Sequence, residues 1–441
     1  MENNEHLDEV TEESDPEDVA NICLPDPPVH SSNSSADNKR IEGLNKTTDL
    51  CFSLIHDALF KNQWQRAADF LISYFQSLES NTWQRVSRAP ELIWRLGNET
   101  LLHHPKATPE DINFFNERMK NIGVKNYLSI SLEHVFYLLC NDMTEEAYRN
   151  LSMVESWRYG SLSVSQEKYI KLIQAYRALL DYHKWLDKKA GVIDQDFASQ
   201  ASADQNLSSL YRQATASFQE IIKVPGVWDP FVLSYVDLLE SSGKHKQAEE
   251  LLTDYAYNSK YPSNPNAHVY LYEFLKRNEA SEDHLIKVLK VFYLQVPSHK
   301  LMLEFVKLLE QSESEEHNQL AVEVIFNILD FSGWKSEVNA WHCLVKQLKK
   351  SFRRRHKSWI LEEWQSRKRW WPAYHFNKFH VKKDWKNDIN LAIHKALVAG
   401  TLLGQDCRYF AAVCSLGSES PNKNITSMLK FVKHHSSSNP D

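Results

Sequence analysis

The chain is patterned at helical spacing from Asp49 onward. Leu50, Leu54, Ala58 and Leu59 fall on one face of a predicted helix, Asn62 interrupts it, and Ala67, Phe70, Leu71 and Tyr74 form a second apolar face. Such a pair reads as an α-hairpin. The same arrangement recurs in the stretches KNQWQRAADFL, CNDMTEEAYRNL and SSGKHKQAEELL. In each, a turn residue (Asn62, Asp142, Gly243) precedes an alanine by five positions (Ala67, Ala147, Ala248), and a leucine follows one turn later (Leu71, Leu151, Leu252). A small residue at a helix crossing lets two backbones approach closely, and the leucine fills the space towards the next hairpin. The three units do not keep a 34-residue period, so a true tetratricopeptide-like repeat and generic antiparallel helix packing both remain open.

Further apolar faces follow at Phe231, Tyr235, Leu238 and Leu239, at Leu301, Phe305, Leu308 and Leu309, and through Leu320, Val324, Ile325 and Ile328. Prolines 225, 230, 262, 265, 297 and 372 stand at the joints, where one helix ends and the next begins. The predicted fold is all-α, a helical-hairpin α-solenoid of tetratricopeptide-like type. Its expected organisation is a disordered acidic tail over residues 1–45, a helical repeat domain over 46–345, a basic, aromatic-rich helical region over 346–410 and a flexible polar tail over 411–441. A last helix is expected around Ile389 to Leu403, with fraying after Ser415.

Composition strengthens the helical reading and narrows the chemistry. Only 11 of 441 residues are glycine, well below the usual share of about seven per cent, so tight turns and phosphate-cradling loops are scarce. No run of about eighteen apolar residues occurs and the N-terminal stretch is acidic, so an intracellular, soluble protein without membrane contact is expected. The six cysteines are scattered with no C-x-x-C pair, which signals neither a zinc module nor a disulfide framework. Neither a P-loop, a G-x-G-x-x-G stretch, an H-E-x-x-H helix nor a nucleophile elbow occurs. The pairs His103-His104 and His434-His435 point about 100° apart on a helix and cannot share one ion. No catalytic residue, cofactor or metal is expected, and the chain reads as a non-enzyme.

Charge is distributed unevenly. Residues 1–38 hold eleven carboxylates and no lysine or arginine, whereas Lys346 to Lys386 is dominated by basic residues. Within it lies FRRRHKSWILEEWQSRKRWWPAYHF, Phe352 to Phe376. Taken as one helix over 353–371, this stretch puts Ile360, Trp364 and Trp371 on a single stripe, so both tryptophans are expected to be structural, as are Ala67, Ala147 and Ala248 at their crossings. Arg353, Arg354, Arg355 and Lys357 have no carboxylate nearby in sequence, and Arg367, Lys368, Arg369, Lys382 and Lys383 extend the excess. Glu363, four residues before Arg367, neutralises part of it. These nine cations are the candidate contacts for nucleic acid or an acidic partner; a solvated helix face is the competing reading.

Five stretches are distinctive beyond their physics: RMKNIGVKNYL (118–128), VPGVWDPFVLSYV (224–236), YPSNPNAHVYLYEFLKR (261–277), VPSHKLMLEF (296–305) and RKRWWPAYHF (367–376). Over roughly Thr48 to Phe410 they resemble, in consistent order, the family of A subunits among the RNA polymerase I TATA-box-binding-protein-associated factors, part of promoter selectivity factor 1. The resemblance implies a nuclear, nucleolar, non-enzymatic component. It implies assembly with the TATA-box-binding protein and the associated-factor subunits B, C and D on the ribosomal RNA gene promoter, with promoter DNA as a further contact, to recruit the RNA polymerase I machinery. A purely protein-binding scaffold that never touches DNA is the alternative.

Overall fold

The computed structural model describes residues 35–78, 83–121, 127–156, 161–191, 200–312, 314–354, 356–418 and 423–436. Among them the secondary structure is entirely helical. The chain divides into two compact units, residues 1–150 and 151–441.

In the first unit α1 (Ser35–Phe60), α2 (Trp64–Leu78), α3 (Trp83–His103), α4 (Pro109–Lys120) and α5 (Tyr127–Cys140) pack one on the next, and α6 (Thr144–Ser156) begins there and runs past residue 150. Its core gathers Ile55, Leu71, Tyr74, Ile93, Trp94 and Met119. Most of the expected N-terminal tail lies outside the described residues, but α1 already begins at Ser35, ten residues inside it.

The second unit continues the same logic. The helices α7 (Val164–Gly191), α8 (Gln200–Ile222), α9 (Asp229–Ser241), α10 (His245–Tyr257), α11 (Pro265–Arg277) and α12 (Glu282–Gln295) pair in sequence. So do α13 (Leu301–Gln311), α14 (Glu315–Leu329), α15 (Val338–Arg353) and α16 (Lys357–Arg367). Alternate helices also touch, α7 with α9, α9 with α11 and α13 with α15, as expected when hairpins stack so that each buries its face on its neighbours. The all-α, helical-hairpin architecture is therefore the one the periodicity predicts.

Its turns have a common chemistry. Asn62, Asp142 and Gly243 all adopt the left-handed conformation, with φ of 55°, 60° and 70°. In each case the amide of the next residue reaches back five positions, Gln63 to Ala58, Met143 to Leu138 and Lys244 to Leu239, at 2.8–2.9 Å. These are Schellman caps, which satisfy the last carbonyls of the preceding helix. Ala67, Ala147 and Ala248 have no exposed surface. A fourth turn of this type escapes the alanine pattern: Glu279 has φ 53°, Ala280 N–H bonds to Leu275 at 3.0 Å, and His284 stands where the alanine would be.

The C-terminal part departs from expectation in three ways. First, no long helix spans 353–371. The chain breaks between α15 and α16 and again before the short α17 (Trp371–Tyr374), whose Pro372 cannot continue a helix. Second, α15 runs straight through the expected 345/346 division, and its buried Trp341, Leu344 and Leu348 share one core with Ile360, Trp371 and Leu397. Third, the stretch expected as a polar tail carries α20 (Arg408–Ser418) and α21 (Lys423–His435), with Ile425, Met428 and Val432 buried.

These last helices enclose α19 (Ile389–Leu403), which is apolar nearly all round and touches α15, α18 (Lys378–Asn387), α20 and α21. Gly400 permits the closeness, because a Cβ there would lie 2.7 Å from the Phe410 ring and 2.9 Å from Val432. An ion pair is buried in this core. The Lys395 ammonium donates to Asp384 at 2.9 Å, and the Tyr409 hydroxyl donates to the same carboxylate at 2.8 Å. Burial pushes the Lys395 ammonium below its usual range and the Tyr409 hydroxyl above its own, while the Asp384 charge favours the protonated form of both.

Candidate polyanion interface

The basic stretch does not form one surface; the fold sorts its cations into a groove, a buried lock and an outer helix face. The groove follows the last turns of α15. This helix is strongly amphipathic, and opposite its buried tryptophan and leucines it carries His342, Lys346, Lys349, Lys350 and Arg353. With Val345 and Arg354 these side chains line a groove of about 490 Å³. Two of them are partly committed: Lys346 pairs with Glu310, and Lys350 donates to the Asn318 side chain. Arg353 and Arg354 are exposed and have no ion-pair partner among the described residues. The positive field registers on Lys350, whose ammonium is pushed down by burial and then by the neighbouring Arg354 guanidinium. Arg355 lies outside the described residues. Lys357 is half-buried, its ammonium 5.5 Å from the centre of the Phe352 ring.

Arg367 corrects the sequence reading outright. It faces inward and is 6% exposed, so it cannot meet a phosphate or an acidic surface. Its guanidinium forks onto Asp330, with Nη2 2.8 Å from Oδ2 and Nε 3.0 Å from Oδ1, and reaches Glu363 at 2.6 Å and the Asn327 side-chain Oδ1. Asp330 also accepts the Trp371 indole N–H at 2.7 Å. The neutralisation by Glu363 predicted from spacing is real, but the stronger partner is Asp330, 37 residues earlier in the chain and invisible to local sequence. Around this lock Trp371 is fully buried and Trp364 is 8% exposed, and the Trp364, Trp341 and Phe326 rings meet Trp371 at 5.2–6.3 Å.

Lys368 and Arg369 lie exposed just past the end of α16, and Lys382 and Lys383 on the outer face of α18; none of these four lines the groove. Sequence reasoning passed over Lys346, Lys349 and Lys350 as site residues, although their spacing on α15 opposite an apolar stripe could have found them. It also missed Phe379, whose ring is 88% exposed among the α18 lysines; an isolated phenylalanine gives no sign of its exposure. Among the described residues no cluster of side chains is arranged to hold a metal ion, and no helix is long and apolar enough to cross a membrane.

The exposed basic face of α15 is thus carried on an array of stacked helical hairpins. The family follows from comparison: residues 57–415 match the family model of the A subunit of TAF RNA Polymerase I, and the chain belongs to that family. It is 49% identical over 404 residues to the A subunit of human TATA box-binding protein-associated factor RNA polymerase I, covering 91% of this chain and 90% of the relative. The mouse protein of the same name is 48% identical over the same length. A solved structure of the P58(IPK) TPR domain aligns with 88% of this chain at 11% identity, but its TM-score of 0.22 is too low to bear on the fold. Family membership places the chain in RNA polymerase I transcription.

Proposed function

We propose that this chain is a non-enzymatic component of the RNA polymerase I promoter selectivity factor. It assembles with the TATA-box-binding protein and with associated-factor subunits B, C and D on the ribosomal RNA gene promoter, in the nucleolus, and supports formation of the pre-initiation complex. The stacked hairpins serve as a long docking surface for these partners. The observation that carries the DNA contact is the α15 groove, where Arg353 and Arg354 stand exposed and unpaired beside Lys349 and Lys350. Glu310 answers Lys346, and the cationic excess that is left attracts a phosphate backbone and releases its counterions. A second reading, a scaffold that meets only an acidic protein partner, draws on Glu310, which already answers Lys346 at the rim.

Filter binding of the full chain to ribosomal promoter duplex over a salt series separates the two. Phosphate contact by the groove predicts that log K falls with log salt at a slope of roughly −0.9 per contact, so about −2 to −4 for the exposed cations here. A flat dependence would remove the DNA contact and leave the protein-only scaffold.

A further inference from the structure

The outer face of α18 is the most unusual surface on the described chain. At 100° per residue Lys382, Lys386, Phe379 and Lys383 fall within an arc of about 100°, with Phe379 near its middle and Lys378 about 40° beyond one edge. All five are exposed, and none of the four lysines has an ion-pair partner among the described residues. The opposite face is held firmly: Val381 is 2% and Asp384 3% exposed, and Asp384 is bonded to both Lys395 and Tyr409. The first turn is fixed by Asn377, whose side chain accepts the Phe379 N–H at 3.1 Å. A phenyl ring 88% exposed on a pinned helix, encircled by ammonium groups, is an arrangement that folding alone does not require.

We propose that this face binds single-stranded nucleic acid, with Phe379 stacking on an unpaired base and Lys378, Lys382, Lys383 and Lys386 tracking the flanking phosphates. Two properties favour a nucleic acid over an acidic peptide. A ring this exposed has no groove walls beside it, so an apolar peptide side chain would find nothing to sink into, whereas a base needs only a π-face. Four cations around one aromatic match the repeat of one phosphate per base better than the irregular charge of a peptide. Other strongly exposed apolar residues are either aliphatic, such as Val164 at 85% and Leu294 at 76%, or aromatics already met by a neighbour, Phe60 at 76% by the His56 ring at 4.4 Å and Phe114 at 62% by the Arg118 guanidinium at 5.0 Å. The inference rests on the reading of this chain as a promoter-binding component, because unpaired bases arise where a promoter duplex opens.

The test is equilibrium binding of the full chain to dye-labelled oligothymidylate and to a random-sequence duplex, each about 20 units long, at low and moderate salt. Wild type should prefer the single strand. Phe379→Ala should weaken single-strand binding about tenfold and leave duplex binding and the salt slope unchanged, and Phe379→Trp should restore it. Alanine at all four lysines should weaken both and flatten the salt dependence. Equal single-strand affinity for wild type and Phe379→Ala would overturn the proposal, as would a Phe379→Ala loss confined to capture of polyglutamate. If that equality appears while promoter duplex still binds with a steep salt slope, only this inference falls. If wild type binds neither nucleic acid, the proposed DNA contact falls with it. Because Phe379 packs against almost nothing, unchanged circular dichroism of the variant confirms that binding, not folding, is being read.

Discussion

Arg367→Ala should destabilise the second unit by about 3–5 kcal/mol, towards the lower end because Asp330 keeps 27% of its side-chain surface. The loss is large because truncation leaves Asp330 and Glu363 half-buried with no cation between them. Burial already raises the Glu363 carboxyl above the usual range, and the Arg367 guanidinium is what opposes that rise. Arg367→Lys should recover little, since a single ammonium cannot fork onto Asp330 while also reaching Glu363 and Asn327. Denaturant unfolding of the two variants checks this; a midpoint within error of wild type for Arg367→Ala would show that the lock contributes nothing.

Stability should also fall steeply in mild acid, through His375. Its ring is fully buried against Trp341 and Trp371, Nε2 donates to the Leu329 carbonyl at 3.0 Å, and Nδ1 is buried with no partner. Burial, reinforced by the Lys395 charge, pushes its pKa down to about 3. In the unfolded chain it titrates near 6.5. Above pH 6.5 the ring is neutral in both states and costs nothing; below it the unfolded chain gains a proton that the folded one refuses. Stability therefore drops by about 1.4 kcal/mol per pH unit from 6.5 towards 3, roughly 2 kcal/mol at pH 5. His394, pushed down to about 4 mainly by burial, adds a parallel loss over 6.5 to 4 in the same unit. His375→Gln should remove its share of the slope between pH 7 and pH 5 and leave that of His394. An unchanged slope in that variant would mean that His375 protonates freely in the folded protein.

What was legible in the chain and what was not divides along a physical line. Hairpin turns are local: Asn62, Asp142 and Gly243 announce themselves because few residues tolerate a left-handed backbone, and the alanine five positions on marks the crossing. Glu279 occupies the same conformation with neither signal, so its hairpin was hidden. The helix α21 had a period, Ile425, Met428 and Val432, but it is short and set among serines and lysines, and its stability comes from packing on α19, which local sequence does not contain. The basic stretch shows the same limit more sharply. In sequence Arg367 differs from Arg353 by the nearby Glu363, and it is the return of Asp330 from 37 residues away that completes the buried lock around one while the other stays on the surface.

Within this one basic stretch the arginines divide their labour between surface and core. That division is tested most directly by measuring, in parallel, the unfolding midpoint and the recovery of the promoter-bound complex for Arg353→Ala/Arg354→Ala and for Arg367→Ala, at low and moderate salt. The double variant should keep its stability within about 0.5 kcal/mol, as surface changes usually do, while losing complex recovery, with the difference from wild type shrinking as salt rises. Arg367→Ala should show the converse, an early midpoint with recovery per folded molecule unchanged. A double variant that unfolds early, or that assembles like wild type at every salt, would contradict the account.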